Sequence, residues 1–244
     1  MTSELLRAAA GGAESSARAR LASGAVPSAA DASGATPLLL AAAHGHTSVV
    51  LLLLENGASA TEGTDCGVTA LMLAASEGHT DCVKALLAAG AAINAAQRTS
   101  RLAAVHLAAR EGRTAVLIAL LTQQVHLDAQ DAVGRSALSM AAEAGHLAAV
   151  RVLLLSGAAV GRIDVTGSTP LMWAASGGHA HVAAALLDKG ASADVESRSG
   201  ATATVLAARG GHIALVQLLA RTAEGADECE SSSGVGSVSV MGCA

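Results

Sequence analysis

The chain has 244 residues, 52% of them hydrophobic, with one Trp and no Phe or Tyr; a core without large aromatics must fill its volume with small aliphatic groups, which favours thin layers of closely spaced helices. A net charge of −5, with 13 Arg and 2 Lys, and the lack of stacking aromatics argue against nucleic-acid binding. No apolar run approaches the ~20 residues that span a bilayer, and Cys66, Cys82, Cys229 and Cys243 form no CxxC pair, so a reducing compartment is expected rather than a disulfide framework.

The first twenty residues carry Glu4 and Glu14 and no apolar h-region, which argues against a secretory signal. Their Ala, Ser and Arg leave an organelle-transit reading open. From there on a glycine recurs, at Gly12, Gly45, Gly78, Gly112, Gly145, Gly178 and Gly211; five gaps are 33 residues and one is 34. A histidine follows it at His46, His79, His146, His179 and His212, with Ala13 and Arg113 as exceptions. An Ala pair precedes each glycine, as in Ala41-Ala42 and Ala174-Ala175. A leucine stands eight residues after it at Leu53, Leu86, Leu120, Leu153, Leu186 and Leu219. A fixed period of this size means stacked repeats.

Each unit reads as helix–turn–helix–loop. Thr36-Pro37 and Thr169-Pro170 start a first helix, because Thr accepts a bond from a free N–H and Pro suits the first helical position. The recurring glycine ends it, since glycine tolerates positive φ. Apolar residues at helical spacing, as in Val50, Leu53 and Leu54, make a second helix, which ends at Gly57, Gly90, Gly157 and Gly190. A polar loop containing Gly34, Gly67, Gly134, Gly167 or Gly200 then turns the chain.

Three stretches depart from the pattern. The first unit has Arg7, Arg18 and Arg20 where apolar residues are expected, which suits a capping repeat with one wet face. The fourth complete unit, Arg98 to about Asp131, follows the 34-residue gap. It has Arg101 in place of the loop glycine, Ala103-Ala104 for Thr-Pro and Gln124 for the glycine after the second helix. A non-glycine residue at positive φ costs about 1 kcal/mol, so this joint is expected to be strained or rearranged and the weakest in the stack. The stretch Glu224–Ala244 is rich in Ser and Gly and is expected to be a disordered tail.

The run Thr169-Pro170-Leu171-Met172-Trp173-Ala174-Ala175-Ser176-Gly177-Gly178-His179, followed by Leu186-Leu187-Asp188-Lys189-Gly190-Ala191, resembles the ankyrin repeat, with its Thr-Pro-Leu-His-x-Ala pattern. The resemblance covers residues 1–223 in about seven units, with 224–244 as a tail. It implies an all-α ankyrin-repeat solenoid with short β-hairpin-like loops. Only His106 holds the histidine of that pattern; Leu39, Met72, Ser139, Met172 and Val205 stand there in other units, so apolar contact is expected to replace a hydrogen-bond ladder.

The resemblance further implies that a partner binds a concave side built from loop tips and first helices. Carried over column by column, that side includes Arg135 and Arg198 on the tips and His44, Glu77, Arg110, Glu111, Met140, Trp173 and Arg209 on first helices. Trp173 reads equally as one more apolar member of the column of Leu40, Leu73, Leu107, Met140 and Leu206, or as a groove anchor, since Trp and Arg dominate interface energetics. Arg135, Arg198 and Arg209 could make forks for a carboxylate-bearing peptide, or be ordinary solvated surface.

Other chemistry finds little footing. His44, His46, His179 and His181, with Cys66 or Cys82, lack zinc-ligand spacing, and a bond at a turn is the plainer reading. Ser136 and Ser168 have no nucleophile elbow around them, and no phosphate loop occurs. Cys243 in "MGCA" does not make a prenylation box. The expectation is a protein–protein interaction module that binds a protein surface or extended peptide, monomeric, without cofactor, metal or catalysis of its own, cytoplasmic or nuclear. The alternative is a substrate-targeting or regulatory part of a larger kinase, ubiquitin ligase or transferase. The tail lacks the Leu/Pro-rich helical box of ubiquitin-ligase adaptors.

Overall fold

A side-chain oxygen opens most of the first helices. Thr36, Thr69, Ser136, Thr169 and Thr202 each accept the N–H three residues on, from Leu39, Met72, Ser139, Met172 and Val205. This satisfies a donor that the helix itself cannot. The computed structural model of the protein describes residues 2–221, so the expected tail over 224–244 lies outside the described residues. Fourteen helices follow one another in pairs: α1 (Thr2–Ala10) and α2 (Glu14–Ala22), α3 (Pro37–Ala43) and α4 (Thr47–Glu55), α5 (Ala70–Glu77) and α6 (Thr80–Ala88), α7 (Ala104–Arg110) and α8 (Thr114–Leu121), α9 (Ala137–Glu143) and α10 (Leu147–Leu155), α11 (Pro170–Ser176) and α12 (Ala180–Leu187), α13 (Ala203–Arg209) and α14 (213–221).

The pairs stack in two rows. First helices pack on first helices from α1 through α13, and second helices on second helices from α2 through α12. The Ala pairs are what let the first row close up: Ala41, Ala42, Ala74, Ala75, Ala108, Ala109, Ala141, Ala142, Ala174 and Ala175 are all fully buried. The leucine column, Leu53 through Leu219 at one per repeat, is also fully buried. Each such leucine contributes about 2 kcal/mol of transfer free energy. Leu39, Met72 and Met172 are buried to 2% or less in the column where the resemblance would put histidine. Apolar packing does replace the ladder there.

Between the two helices of a pair, the next repeat reaches back. The Nε2 atoms of His46, His79, His179 and His212 sit 3.0–3.3 Å from the carbonyl oxygens of Ala10, Ala43, Glu143 and Ser176. Arg113, the exception in that column, does the same work with a different head: its Nε donates to Ser76 O at 2.9 Å.

The loops between pairs fold as short two-stranded turns, with antiparallel bridges Gly63–Thr69, Ala96–Ala103 and Gln130–Ser136. Asp31, Asp131 and Asp164 fasten three tips by accepting the N–H groups two and four residues on. Bonds between backbones tie four of the tips to the one before: Arg98 N to Cys66 O, Ala132 N to Ser100 O, Val165 N to Val133 O and Arg198 N to Thr166 O, at 2.8–2.9 Å.

The extra residue of the 34-residue gap sits at the tip of the fourth unit. Other tips close with an N–H to O bond across four residues, such as Thr64 to Val68 and Asp164 to Ser168; this one closes from Gln97 to Leu102. Arg101 carries the turn at φ +57, alone in the left-handed region among the described non-glycine residues.

Candidate functional site

On the side built by the tips and the first helices, α11 carries the single Trp of the chain. Trp173, in the middle of that helix, is half-buried, and its Nε1 donates to Asp164 Oδ2 at 3.0 Å. Asp164 is itself buried, and its other oxygen holds Thr166 and Ser168 of the tip. One carboxylate thus joins the ring to the tip, with both polar ends satisfied. The tip that carries Asp164 also carries Val165, 50% exposed, and the tip before it carries Val133, 44% exposed; the two adjoin through the Val165 N to Val133 O bond.

The three expected arginines stand in different states. Arg135 is partly buried and committed. Its Nε and Nη2 each donate to Asp131 Oδ2 at 3.2 Å, and its Nη1 reaches Glu143 Oε2 at 3.1 Å, so it clamps the tip to the far end of α9. Arg198, on the next tip, and Arg209, at the end of α13, are exposed. Arg198 hangs its backbone on Thr166 O at 2.9 Å, which places it next to the tip fastened by Asp164.

The remaining expected residues divide. His44, Glu77, Arg110 and Glu111 are exposed at the ends of α3, α5 and α7; Arg110 Nε donates to its neighbour Glu111 at 2.9 Å. The ring centroids of His44 and His46 lie 6.1 Å apart. Met140 is a correction: at 1% exposure it is packed between first helices and offers a partner nothing. Its flexible thioether chain turns into the layer, where the rigid indole of Trp173 in the same column stays partly outside. Two partners the sequence reading did not single out are Asp131 and Asp164, the carboxylates that hold Arg135 and Trp173. Their signal was the Asp that opens a tip three residues before the loop glycine, Asp131 before Gly134 and Asp164 before Gly167.

The second-helix side has hollows of its own. The larger, ≈ 610 Å³, lies between α6 and α8 and is lined by Lys84, Leu87, Ala115 and Ile118 among others. It is an open trough whose apolar lining is edged by Thr80, Thr122 and Gln123. Among the described residues no three His, Cys, Asp or Glu side chains come together in a metal-holding group, and no helix is long and apolar enough to cross a membrane.

The chain is similar to known proteins along nearly its whole length. A family model described as ankyrin repeats (3 copies) matches residues 5–97, 94–164 and 154–230. A crystal structure of the human ASB11 ankyrin repeat domain superposes with a TM-score of 0.81 at 28% sequence identity, covering 88% of this chain and 96% of that one. Among curated proteins no sequence matches.

Proposed function

Since this chain belongs to the ankyrin-repeat family, whose members serve as protein-interaction modules, we propose that it is a binding scaffold whose tip-and-first-helix face holds a protein surface or an extended peptide, without catalysis of its own. The observation that carries this reading is the patch at Trp173. A large ring is bonded to Asp164, whose tip carries exposed Val165 next to the tip of exposed Val133, and the following repeat carries the exposed Arg198 and Arg209, which make no ion pair among the described residues. Aromatic and Arg side chains are the usual anchors of interfaces, each worth ~2 kcal/mol or more on truncation. Anchors already fixed by the fold lose little freedom when a partner docks.

The chemistry of the patch favours a segment with an apolar side chain for the valines and Trp173, and a carboxylate for the two arginines. Arg135 is not counted among the free cations, because Asp131 and Glu143 already occupy it.

The test is affinity capture with three forms of the full chain: the parent, Trp173→Ala/Arg198→Ala/Arg209→Ala, and Arg151→Ala/Lys189→Ala on the second-helix side. Partners held by the parent and by the second-helix variant but lost from the first variant support the proposal. Partners held equally by all three, or lost only from the second-helix variant, overturn it.

A further inference from the structure

We infer that the joint between α7 and the hairpin that follows it is a pH-responsive hinge, released when the ring of His106 takes up a second proton.

The fourth unit lacks the Thr or Ser that caps other first helices; Ala103 stands there instead. His106, three residues into the turn, replaces it from the opposite side. Ala103 N donates to His106 Nδ1 at 3.1 Å, and His106 Nε2 lies 2.9 Å from Ala129 O in the next hairpin. A backbone N–H can only donate, so Nδ1 must present its lone pair. The proton of the neutral ring is therefore on Nε2, donated to Ala129. One ring joins the start of α7 to the next repeat, and both of its nitrogens are fixed in role.

Protonation of Nδ1 sets N–H against N–H at the cap. Other column histidines respond differently: His46, His79, His179 and His212 use Nε2 against a carbonyl, a bond that a second proton leaves in place. Among the described residues, His106 alone has a backbone N–H donating into its ring.

The surroundings do not welcome an imidazolium. His106 is fully buried. The hairpin packed on it carries Asp128, Asp131 and Arg135, and Asp131 is already spent on Arg135 and two tip N–H groups. Of the helices against α7, α5 brings Glu77 and α9 brings Glu143, each at its exposed end, while α8 brings no charge; α7 itself ends in Arg110. Burial holds the imidazole below its ordinary value, Arg135 adds to this, and the bond to Ala129 and the charge of Asp131 oppose it. A hollow of ≈ 300 Å³, lined by Arg101, Ala103, Val105 and Ala129 among others, lies against the same joint and gives it room to open. The strained Arg101 borders it.

The sign follows from linkage. The folded ring binds its proton less readily than the unfolded ring. Stability of the joint is therefore complete above the unfolded histidine value of about 6.5 and drains away as pH falls below it, down to the folded value. The consequence is a stack that parts near its centre on mild acidification, with four repeats before the joint and three after it.

Amide hydrogen exchange on the full chain, corrected for intrinsic rates, at about pH 7.5 and about pH 5.5, either side of the unfolded value, tests this. Protection at residues 103–107 and 129–131 is expected to fall in the parent by up to about tenfold per pH unit. His106→Gln keeps an acceptor at the third helical position, as in a capping box, but cannot titrate, and is expected to hold its protection. An equal response in both forms, or one spread evenly over all repeats, overturns the inference. Should the variant not fold, ring ¹⁵N shifts of the parent decide: an Nδ1 protonated while residues 103–107 stay protected is the overturning result, and loss of protection in step with that protonation the supporting one.

Discussion

The ring of His79 occupies the place where a side chain on Gly45 would stand. A Cβ built on Gly45 falls 2.5 Å from His79 Nδ1, while His79 Nε2 lies 3.1 Å from Ala43 O. The Gly-His step is therefore not a local unit. The glycine of one repeat makes space for the histidine of the next, and the column pairs Gly12 with His46, Gly145 with His179 and Gly178 with His212 in the same way. Gly45 also sits at φ +73. Gly45→Ala carries both costs, whereas Gly57→Ala, at φ +88 with no atom within 4 Å of the added Cβ, carries only the backbone one. We expect about 1 kcal/mol lost at Gly57 and roughly 2–3 kcal/mol at Gly45, read from urea midpoints. Equal losses would mean that the ring moves aside freely and does not hold the stack.

Arg101 offers the converse experiment. It holds φ +57 at the tip that takes up the extra residue, where other tips turn on glycine. Arg101→Gly relieves the left-handed penalty, partly offset by the greater freedom of glycine in the unfolded chain. The expected gain is about 0.5–1 kcal/mol in the midpoint of unfolding. A loss would show instead that the Arg side chain contributes contacts worth more than the strain.

Much of this architecture was legible because it repeats. The period, the caps at Thr36 and Thr169, the buried leucine column and the positive φ at Arg101 all follow from residues standing in register. What was not legible depends on pairs without a fixed spacing. Trp173 and Asp164 are nine residues apart on different elements, and their bond exists because one tip happens to open with a carboxylate. His106 looked like a lone remnant of a pattern; that it caps its helix in place of Ala103 needs the ring's orientation. Met140 and Trp173 share a column, yet one is in the layer and the other half out of it. Sequence register gives the column, and the shape of each side chain decides how deep it goes.

The two cysteines of the described residues should differ sharply in reactivity. Cys66 is exposed on a tip, while Cys82 is fully buried between repeats with its Sγ 3.3 Å from Thr47 Oγ1. Burial pushes the Cys82 thiol up, and neighbouring Asp81 adds to it, against the hydrogen bond shared with Thr47. The thiolate is the reacting form, so in a Cys229→Ser/Cys243→Ser background a thiol reagent should label Cys66 rapidly and Cys82 only as the stack opens. The raised value also has a sign: the unfolded chain gives up this proton more readily, so stability is lost as pH rises past the unfolded thiol range of about 8.5. Labelling of both thiols at one rate in the folded chain would contradict this burial.

Trp173 serves the fold and the proposed site with different atoms, which allows the two roles to be separated. Its Nε1 holds Asp164, and its half-buried ring leaves part of its surface open. Trp173→Phe removes the bond and keeps most of the ring. It leaves one oxygen of a buried carboxylate without its donor, at a cost of about 1–2 kcal/mol in stability. Asp164→Asn weakens the same contact from the other end, so the double variant should cost less than the sum of the two, with a coupling of about 1 kcal/mol. Additive losses would show that the bond carries no energy. Arg209→Ala, at an exposed position without an ion pair among the described residues, should change stability by less than about 0.5 kcal/mol yet weaken partner capture. A variant that loses capture only in proportion to its stability would mean that Trp173 holds the tip and nothing else. Loss of capture in Arg209→Ala at full stability places the contact on the surface itself.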